Sequence, residues 1–195
     1  GGIYTPVITP FHNDGSIDEE GFAKVIEFLI DAGTHGIVVA GTTGEYYAQT
    51  TEERTHLMQL AHKVINARVP MMVGVGAIRT EDAIELAQTA RQTGADALLV
   101  NSPPYVLPTE SENAAHALAI DKAAGLPIML YNYPGRTGVG MGEDYLQQVS
   151  ASKNFCAIKE SSGDINRLHL LANDFPNIQL SCGADDQALE FFVWG

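Results

Sequence analysis

Basic residues are scarce. Eleven lysines and arginines stand against 24 aspartates and glutamates, for a formal charge of -13. A chain this acidic has no basic face for a phosphate backbone or an anionic bilayer, which argues against nucleic acid and membrane as partners. Any anionic ligand must therefore be held by local cations. Cysteine is nearly lacking as well: Cys156 and Cys182 lie far apart with no CxxC spacing. That leaves no metal or redox motif and suits a reducing compartment, with both thiols expected to be buried. No apolar run nears the roughly 20 residues of a membrane span. The opening GGIYTPVITP has neither the basic start nor the apolar core of a secretory signal. The sequence reads as cytoplasmic. It also has no initiator methionine and stops at FFVWG without a polar tail, so a piece of a longer protein is expected.

What the chain does have is a repeat of pattern. At 195 residues and 45% apolar content it can bury a substantial core. Seven short apolar or β-branched runs recur: IYTPVIT, GIVVAG, PMMVGVG, ALLVN, PIMLYN, CAIKE and IQLSCG. Helix-length amphipathic stretches separate them. One runs from Asp18 to Gly33, one opens on the Glu-rich turn Thr51 to Arg54, and one takes Thr80 as its N-cap and ends at Gly94. Others start near Thr109, Gly142, Asn166 and Gln187.

Strict β-then-α alternation implies a parallel sheet, because parallel neighbours need a crossover and the helix supplies it. A doubly wound sheet should carry a Gly-rich phosphate turn after its first strand, and TPFHNDGS is nothing like one. Repeats of similar length favour a (β/α)8 barrel, a fold that takes about 250 residues. The expectation is α/β: one barrel domain over residues 1–195, truncated after its seventh strand and incomplete at the C-terminus.

In such a barrel the chemistry sits at the C-terminal strand ends. Those ends supply Thr42 and Thr43 in GTTGE, Tyr105 in NSPPY, Tyr131 and Arg136 in YNYPGRTG, Lys159 in IKESSGD and Gly183 in CGADD. Alternation puts Lys159 and Ala157 on one face of their strand and Cys156 and Ile158 on the other. If Ile158 packs on the helices, Lys159 points into the barrel mouth. An amine desolvated there loses basicity and becomes a usable nucleophile toward a ketone. A lone lysine at a strand end more often snorkels to water, and that alternative stays open on this residue alone. GTTGE offers hydroxyls and closely spaced N–H groups suited to a small carboxylate, though Gly/Thr turns are common. Arg136 offers a fork for a carboxylate, or forms a surface ion pair.

In their order and spacing, GTTGE, the Tyr105 loop, YNYPGRTG and IKESSGD resemble the dihydrodipicolinate synthase and N-acetylneuraminate lyase family of class I, pyruvate-dependent aldolases. The likeness covers essentially the whole chain. It implies a barrel enzyme in which Lys159 forms a Schiff base with pyruvate or a related 2-keto acid, needing no metal or organic cofactor. It implies that Tyr131 moves the proton, linked through Thr42 to a Tyr105 that often comes from a neighbouring subunit of a tetramer of dimers. Thr43 would bind the keto acid's carboxylate, Arg136 the carboxylate of a second substrate, and Gly183 would line the pocket. Tyr46, Tyr47 and Ile78 stand where lysine-inhibited members carry smaller or polar residues, so no lysine feedback is expected. The partner of the keto acid stays open between an aldehyde and a keto-deoxy sugar acid.

Two other readings compete. Six scattered histidines, the Glu52/His56 pair at i, i+4, and Asp185 with Asp186 invite a metal. A solvated helix face and a helix-start carboxylate are the plainer accounts of those residues. A noncatalytic keto-acid-binding regulator on the same scaffold is the alternative of another class.

Overall fold

The structure, a computed structural model, describes residues 2–194. The chain divides into two compact units: the segments up to Val75 and Glu85–Leu99 form the first, and Gly76–Ile84 with Val100 onward form the second.

The first unit opens with β1 (Tyr4–Pro6), α1 (Glu19–Asp31), β2 (Gly36–Val39), α2 (Thr51–Ile65) and β3 (Met71–Gly74). Helix α3 (Thr80–Thr93) leads from β3 to β4 (Ala97–Asn101), whose start closes this unit. All pairings are parallel, through Tyr4↔Gly36, Ile37↔Met71 and Met72↔Ala97. Every residue of β2 and β3 is buried, as a parallel strand covered on both faces must be. β1 is shorter than its seven-residue apolar run. Pro6 has no N–H to give the ladder, and after it only Val7 N still reaches across, to Val38 O at 3.0 Å. Helix α1 starts because the Asp18 side chain accepts from Gly21 N at 2.8 Å. It buries Phe22 and Ile26, four residues apart on one stripe. Helix α2 carries a reciprocal capping box between Thr50 and Glu53 and stops at Asn66 in the left-handed region. Its Leu57, Met58 and Ile65 join Phe22, Ile26 and Ile37 as fully buried side chains, each stabilising the fold by about 1.5–3 kcal/mol.

In the second unit β5 (Ile128–Asn132), β6 (Phe155–Glu160) and β7 (Gln179–Cys182) are again parallel. Its helices are α4 (Glu110–Ala124), α5 (Pro134–Thr137), α6 (Glu143–Val149), α7 (Asn166–Asp174) and α8 (Ala188–Trp194). Helix α4 repeats the capping box with Thr109 and Glu112 and ends at a left-handed Gly125. All seven expected strands are present, each near its apolar run.

Two local expectations are corrected. Thr80 is the first residue of α3 and not the N-cap before it. Its hydroxyl instead lies 2.9 Å from His116 Nδ1. The cysteines are not buried: Cys156 is exposed and Cys182 intermediate. The β5–β6 register explains Cys156, because Ile128 pairs with Phe155 while Met129 pairs with Ala157. Cys156 is the extra residue of a bulge, turned out of the alternation that would have packed it beside Ile158. Glu52 and His56 do lie on a solvated face of α2, both exposed, and His56 bonds across helices to Glu19 at 2.8 Å.

Candidate active site

Past the bulge, β6 alternates cleanly. Ile158 is wholly buried, and alternation turns Lys159 to the opposite face, where it is half-buried. The register places Tyr131 of β5 directly across from Lys159. Lys159 Nζ sits 4.6 Å from the centroid of the Tyr131 ring, and that tyrosine is 8% exposed. Two influences act on the amine in opposite senses. Burial, the larger, pushes its pKa below the ordinary lysine value, and the Asp185 carboxylate pulls it back up. The face of Tyr131 also favours a cation, by about 0.5–2 kcal/mol. Burial prevails, giving an amine that surrenders its proton more readily than a surface lysine and can recover it beside a phenol.

The next residues along β5 extend the site. Tyr133 lies 5.9 Å from Tyr131, ring to ring, tilted by 40°. The exposed Arg136 in the short helix α5 has its guanidinium carbon 5.9 Å from the Tyr133 centroid. Lys159, Tyr131, Tyr133 and Arg136 thus form a continuous row from amine to guanidinium. Tyr133 was not singled out from sequence, although it lies two residues from Tyr131 in a two-residue period.

Gly183, at the end of β7, donates its N–H to Glu160 O at 2.9 Å. A side chain there would collide with Ser161 Oγ, so glycine is what lets β7 close on the residue two beyond the lysine. Ser161 is buried, and its hydroxyl has no hydrogen-bond partner among the described residues. Tyr105 is 88% exposed, at a left-handed φ of 75°. Within one chain it is turned to solvent, not gathered in with Tyr131.

Thr42 and Thr43 belong to the first unit, in the 3-10 turn Thr42–Gly44 that follows β2. That turn is held from behind. Gly44 O accepts from Thr9 Oγ1 at 2.8 Å and from Gln49 Nε2 at 2.6 Å, and Gly44 N and Glu45 N are used within the turn itself. What it can offer a carboxylate is the two threonine hydroxyls and their own N–H groups. Thr43 is exposed and Thr42 partly so.

Behind the Lys159/Tyr131 pair lies a network that sequence reading missed. Asn132 and Glu160, opposite each other in the same register, are both 1% exposed. Asn132 Nδ2 donates to both carboxylate oxygens of Glu160, at 2.9 and 2.8 Å. Arg167 Nε donates to Glu160 at 3.0 Å and its other arm to Met141 O at 2.7 Å. An acid closing a buried strand with an arginine one helical start later was the available signal.

Among the described residues no group of three or more His, Cys, Asp or Glu is arranged to hold a metal. Asp185 and Asp186 open the turn leading to α8. Among the same residues no helix is long and apolar enough to cross a membrane.

The family model described as the dihydrodipicolinate synthetase family matches residues 1–195. The 4-hydroxy-tetrahydrodipicolinate synthase of Bartonella bacilliformis is 39% identical over all of this chain and 67% of its own length. The chloride-inhibited dihydrodipicolinate synthase of Acinetobacter baumannii, solved with pyruvate, superposes at a TM-score of 0.94 and 36% identity, over the whole chain and 67% of that one. CdNal of Clostridium difficile, solved with mannosamine, gives 0.96 at 26% identity, with the same shares of 100% and 67%. The chain spans 57–67% of the length of the curated relatives it matches. Its fold class is therefore α/β of the (β/α)8 barrel type, with the first seven strands among the described residues. A family model that matches the full sequence and a relative 39% identical over it lead to one conclusion: the chain belongs to the dihydrodipicolinate synthetase family.

Proposed function

We propose that the protein is a lyase of the 4-hydroxy-tetrahydrodipicolinate synthase type that binds pyruvate or a related 2-keto acid covalently through Lys159. The observation that carries this reading is the half-buried Lys159 amine, held 4.6 Å from the Tyr131 ring in strand register, its pKa lowered by burial. The uncharged nitrogen attacks the keto carbon; the C–N bond forms, the carbonyl oxygen leaves as water, and an iminium results. That cation is an electron sink. The adjacent methyl loses a proton and the resulting enamine attacks an aldehyde, or a C–C bond breaks in the reverse sense. Tyr131 gives and takes these protons, with Thr42 and a Tyr105 from a neighbouring subunit completing the hydroxyl relay. Thr43 holds the keto acid's carboxylate, Arg136 that of the second substrate, and Gly183 keeps the backbone of β7 close. The Schiff base replaces any metal or organic cofactor. The working form is a cytoplasmic tetramer of dimers built on one barrel domain.

A second reading has support of its own. The substitutions Tyr46, Tyr47 and Ile78, together with the likeness to CdNal, favour a keto-deoxy sugar acid aldolase or dehydratase, or a lyase of N-acetylneuraminate type. The absence of lysine feedback rests on those three side chains alone.

Borohydride reduction in the presence of pyruvate tests the common core. The protein gains a covalent adduct on Lys159 by mass spectrometry, and Lys159→Met gains none. An adduct elsewhere, or none in the native protein, would overturn the assignment. Turnover with aspartate semialdehyde against keto-deoxy sugar acids separates the two substrate readings, and an adduct without turnover on any of them favours the noncatalytic regulator. With Arg136→Ala, adduct formation survives while condensation falls; if both persist unchanged, the role given to Arg136 is wrong.

A further inference from the structure

The Schiff-base reading leaves the most deeply buried carboxylate among the described residues without a task. Glu160 follows the nucleophilic lysine directly, on the opposite face of β6, and is 1% exposed. Its carboxylate is nevertheless fully engaged. Oε1 accepts from Asn132 Nδ2 at 2.9 Å and from Ser162 N at 2.8 Å. Oε2 accepts from Asn132 Nδ2 at 2.8 Å and from Arg167 Nε at 3.0 Å. Asn132 is engaged on its acceptor side as well: its Oδ1 accepts from Met141 N at 3.0 Å, and its backbone O accepts from Ser161 N at 2.9 Å. The second arm of Arg167 returns to Met141 O at 2.7 Å. The circuit therefore runs from Asn132 to Glu160 to Arg167 to Met141 and back.

This circuit lies where it can govern geometry on the reacting side. Asn132 and Glu160 are the residues immediately after Tyr131 and Lys159, and the register pairs them in the same order. A pivot of either strand end would carry the adjacent reactive side chain with it. Asn132 and Met141 also bracket the segment that bears Tyr133 and Arg136, so the same bonds fix where that loop leaves and returns. Apolar packing would exclude water but set no angle. Charge-assisted bonds to a buried carboxylate do both, because each has a direction and leaving one unmade is costly.

We propose that Asn132 and Glu160, with Arg167, are positioning residues for the Lys159 reaction. They touch neither substrate nor the reacting atoms, and they hold the amine and the phenol opposite one another while anchoring the Arg136 loop. This rests on the Schiff-base reading above. A displacement of about 1 Å between reacting groups can cost as much as about 100-fold in rate, so the consequence is measurable.

The test is an exchange of donor and acceptor. Glu160→Gln offers an amide where Asn132 presents its own N–H groups, and Asn132→Asp sets two carboxylates face to face. In the double variant Asn132→Asp/Glu160→Gln the amide donates from the other strand, the carboxylate still accepts from Met141 N and net charge is restored, while the one amide oxygen keeps the bond from Arg167 Nε or that from Ser162 N, not both. The rate of borohydride-trapped pyruvate adduct, kcat and KM for the keto acid, and the melting temperature are measured for all four proteins. Each single variant is expected to lose about 10- to 100-fold in adduct rate and kcat with KM changed less than about threefold. The double variant is expected to regain at least about tenfold over the poorer single. The proposal is overturned if the folded single variants keep their rates within about twofold, or if the double variant recovers melting temperature without recovering rate. Should a single variant fail to fold, Arg167→Lys, which gives up the two-armed contact, takes its place with the same criteria. If native protein traps no adduct, the Schiff-base reading itself has failed; if native protein traps it and the variants trap it equally fast, only the positioning role has.

Discussion

Replacing Gly74 by alanine tests how the loop bearing Thr42 and Thr43 is held. Gly74 ends β3, and a Cβ there would run into the carbonyl oxygen of Ala40, with Ala40 C at 2.8 Å and Gly41 N at 3.2 Å. These are backbone atoms, so no rotamer change relieves the contact. Nor can the two strands easily part, since β2 and β3 pair through Ile37↔Met71, Val38↔Met72 and Val39↔Val73 and are buried throughout. Ala40 is itself held at a φ of 54°, a left-handed conformation that costs a non-glycine residue roughly 1–2 kcal/mol and leaves little room to adjust. Overpacking of this kind costs about 1–3 kcal/mol, and the stiffer unfolded chain gives back about 0.4–1 kcal/mol. The net loss is on the order of 1–2 kcal/mol, a fall of roughly 2–8 °C in melting temperature for a chain of this size. Urea denaturation should show a lower midpoint at an unchanged m-value, and pyruvate adduct formation should weaken through KM, because the displaced turn is the one assigned to the carboxylate. Gly41→Ala is the control, since its Cβ would meet only Val38 Cγ1 at 3.7 Å and Leu99 Cδ2 at 4.0 Å. The reasoning is refuted if the two variants lose equal stability, or if Gly74→Ala stays within about 0.5 kcal/mol of the native protein.

Two further predictions concern protons. The Asp185 carboxylate favours the charged form of Lys159 against the larger effect of burial, so Asp185→Asn lowers the lysine's pKa further. The acid limb of the pH profile for adduct formation then moves to lower pH, and a shift to higher pH would contradict the assignment. His116 is buried beside Thr80, and burial lowers its pKa from 6.5 to about 4. The unfolded chain takes up this proton near pH 6.5 and the folded one does not until near pH 4, so stability is fully present above that window and falls through it as pH drops. Linkage limits the loss to about 3 kcal/mol. His116→Asn should flatten the plot of unfolding free energy between pH 6.5 and 4; an unaltered slope would place the titration elsewhere.

The strands were legible because each is a short β-branched or apolar run ended by a glycine, proline or polar turn, and fully buried parallel strands need little more. The starts of helices were legible near Thr51 and Thr109, although Thr50 was not read as the cap that decides the first of them. What could not be read was anything set by register. Cys156 looks like a core residue until a one-residue bulge, invisible in the sequence, turns it outward. Thr80 has the right chemistry for a cap, yet it is the first residue of its helix and its hydroxyl meets His116 from another helix. The candidate site divides in the same way. Lys159 and Tyr131 announce themselves as an amine and a phenol ending apolar runs, whereas Asn132, Glu160 and Arg167 are joined to one another across 7 to 28 residues of chain.

That division has a physical origin in strand alternation. A nucleophilic amine requires surroundings that disfavour charge, and a carboxylate that fixes geometry requires surroundings that support it. Placed on one face, Glu160 would raise the pKa of Lys159, as Asp185 does against the larger effect of burial. Successive residues of β6 point to opposite sides, so neighbours in sequence occupy different electrostatic environments: Lys159 lies against the ring of Tyr131, while Glu160 meets Asn132, Ser162 and Arg167. The strand itself separates the charge that orders the site from the amine that must shed its own. An inversion of that order by exchanging the two side chains, Lys159→Glu with Glu160→Lys, should leave an ammonium facing Arg167 and a carboxylate over a phenol. Circular dichroism and thermal melting should then report a destabilised protein that forms no adduct. A stable double variant would mean that burial alone, and not the sidedness of the strand, sets the character of these two positions.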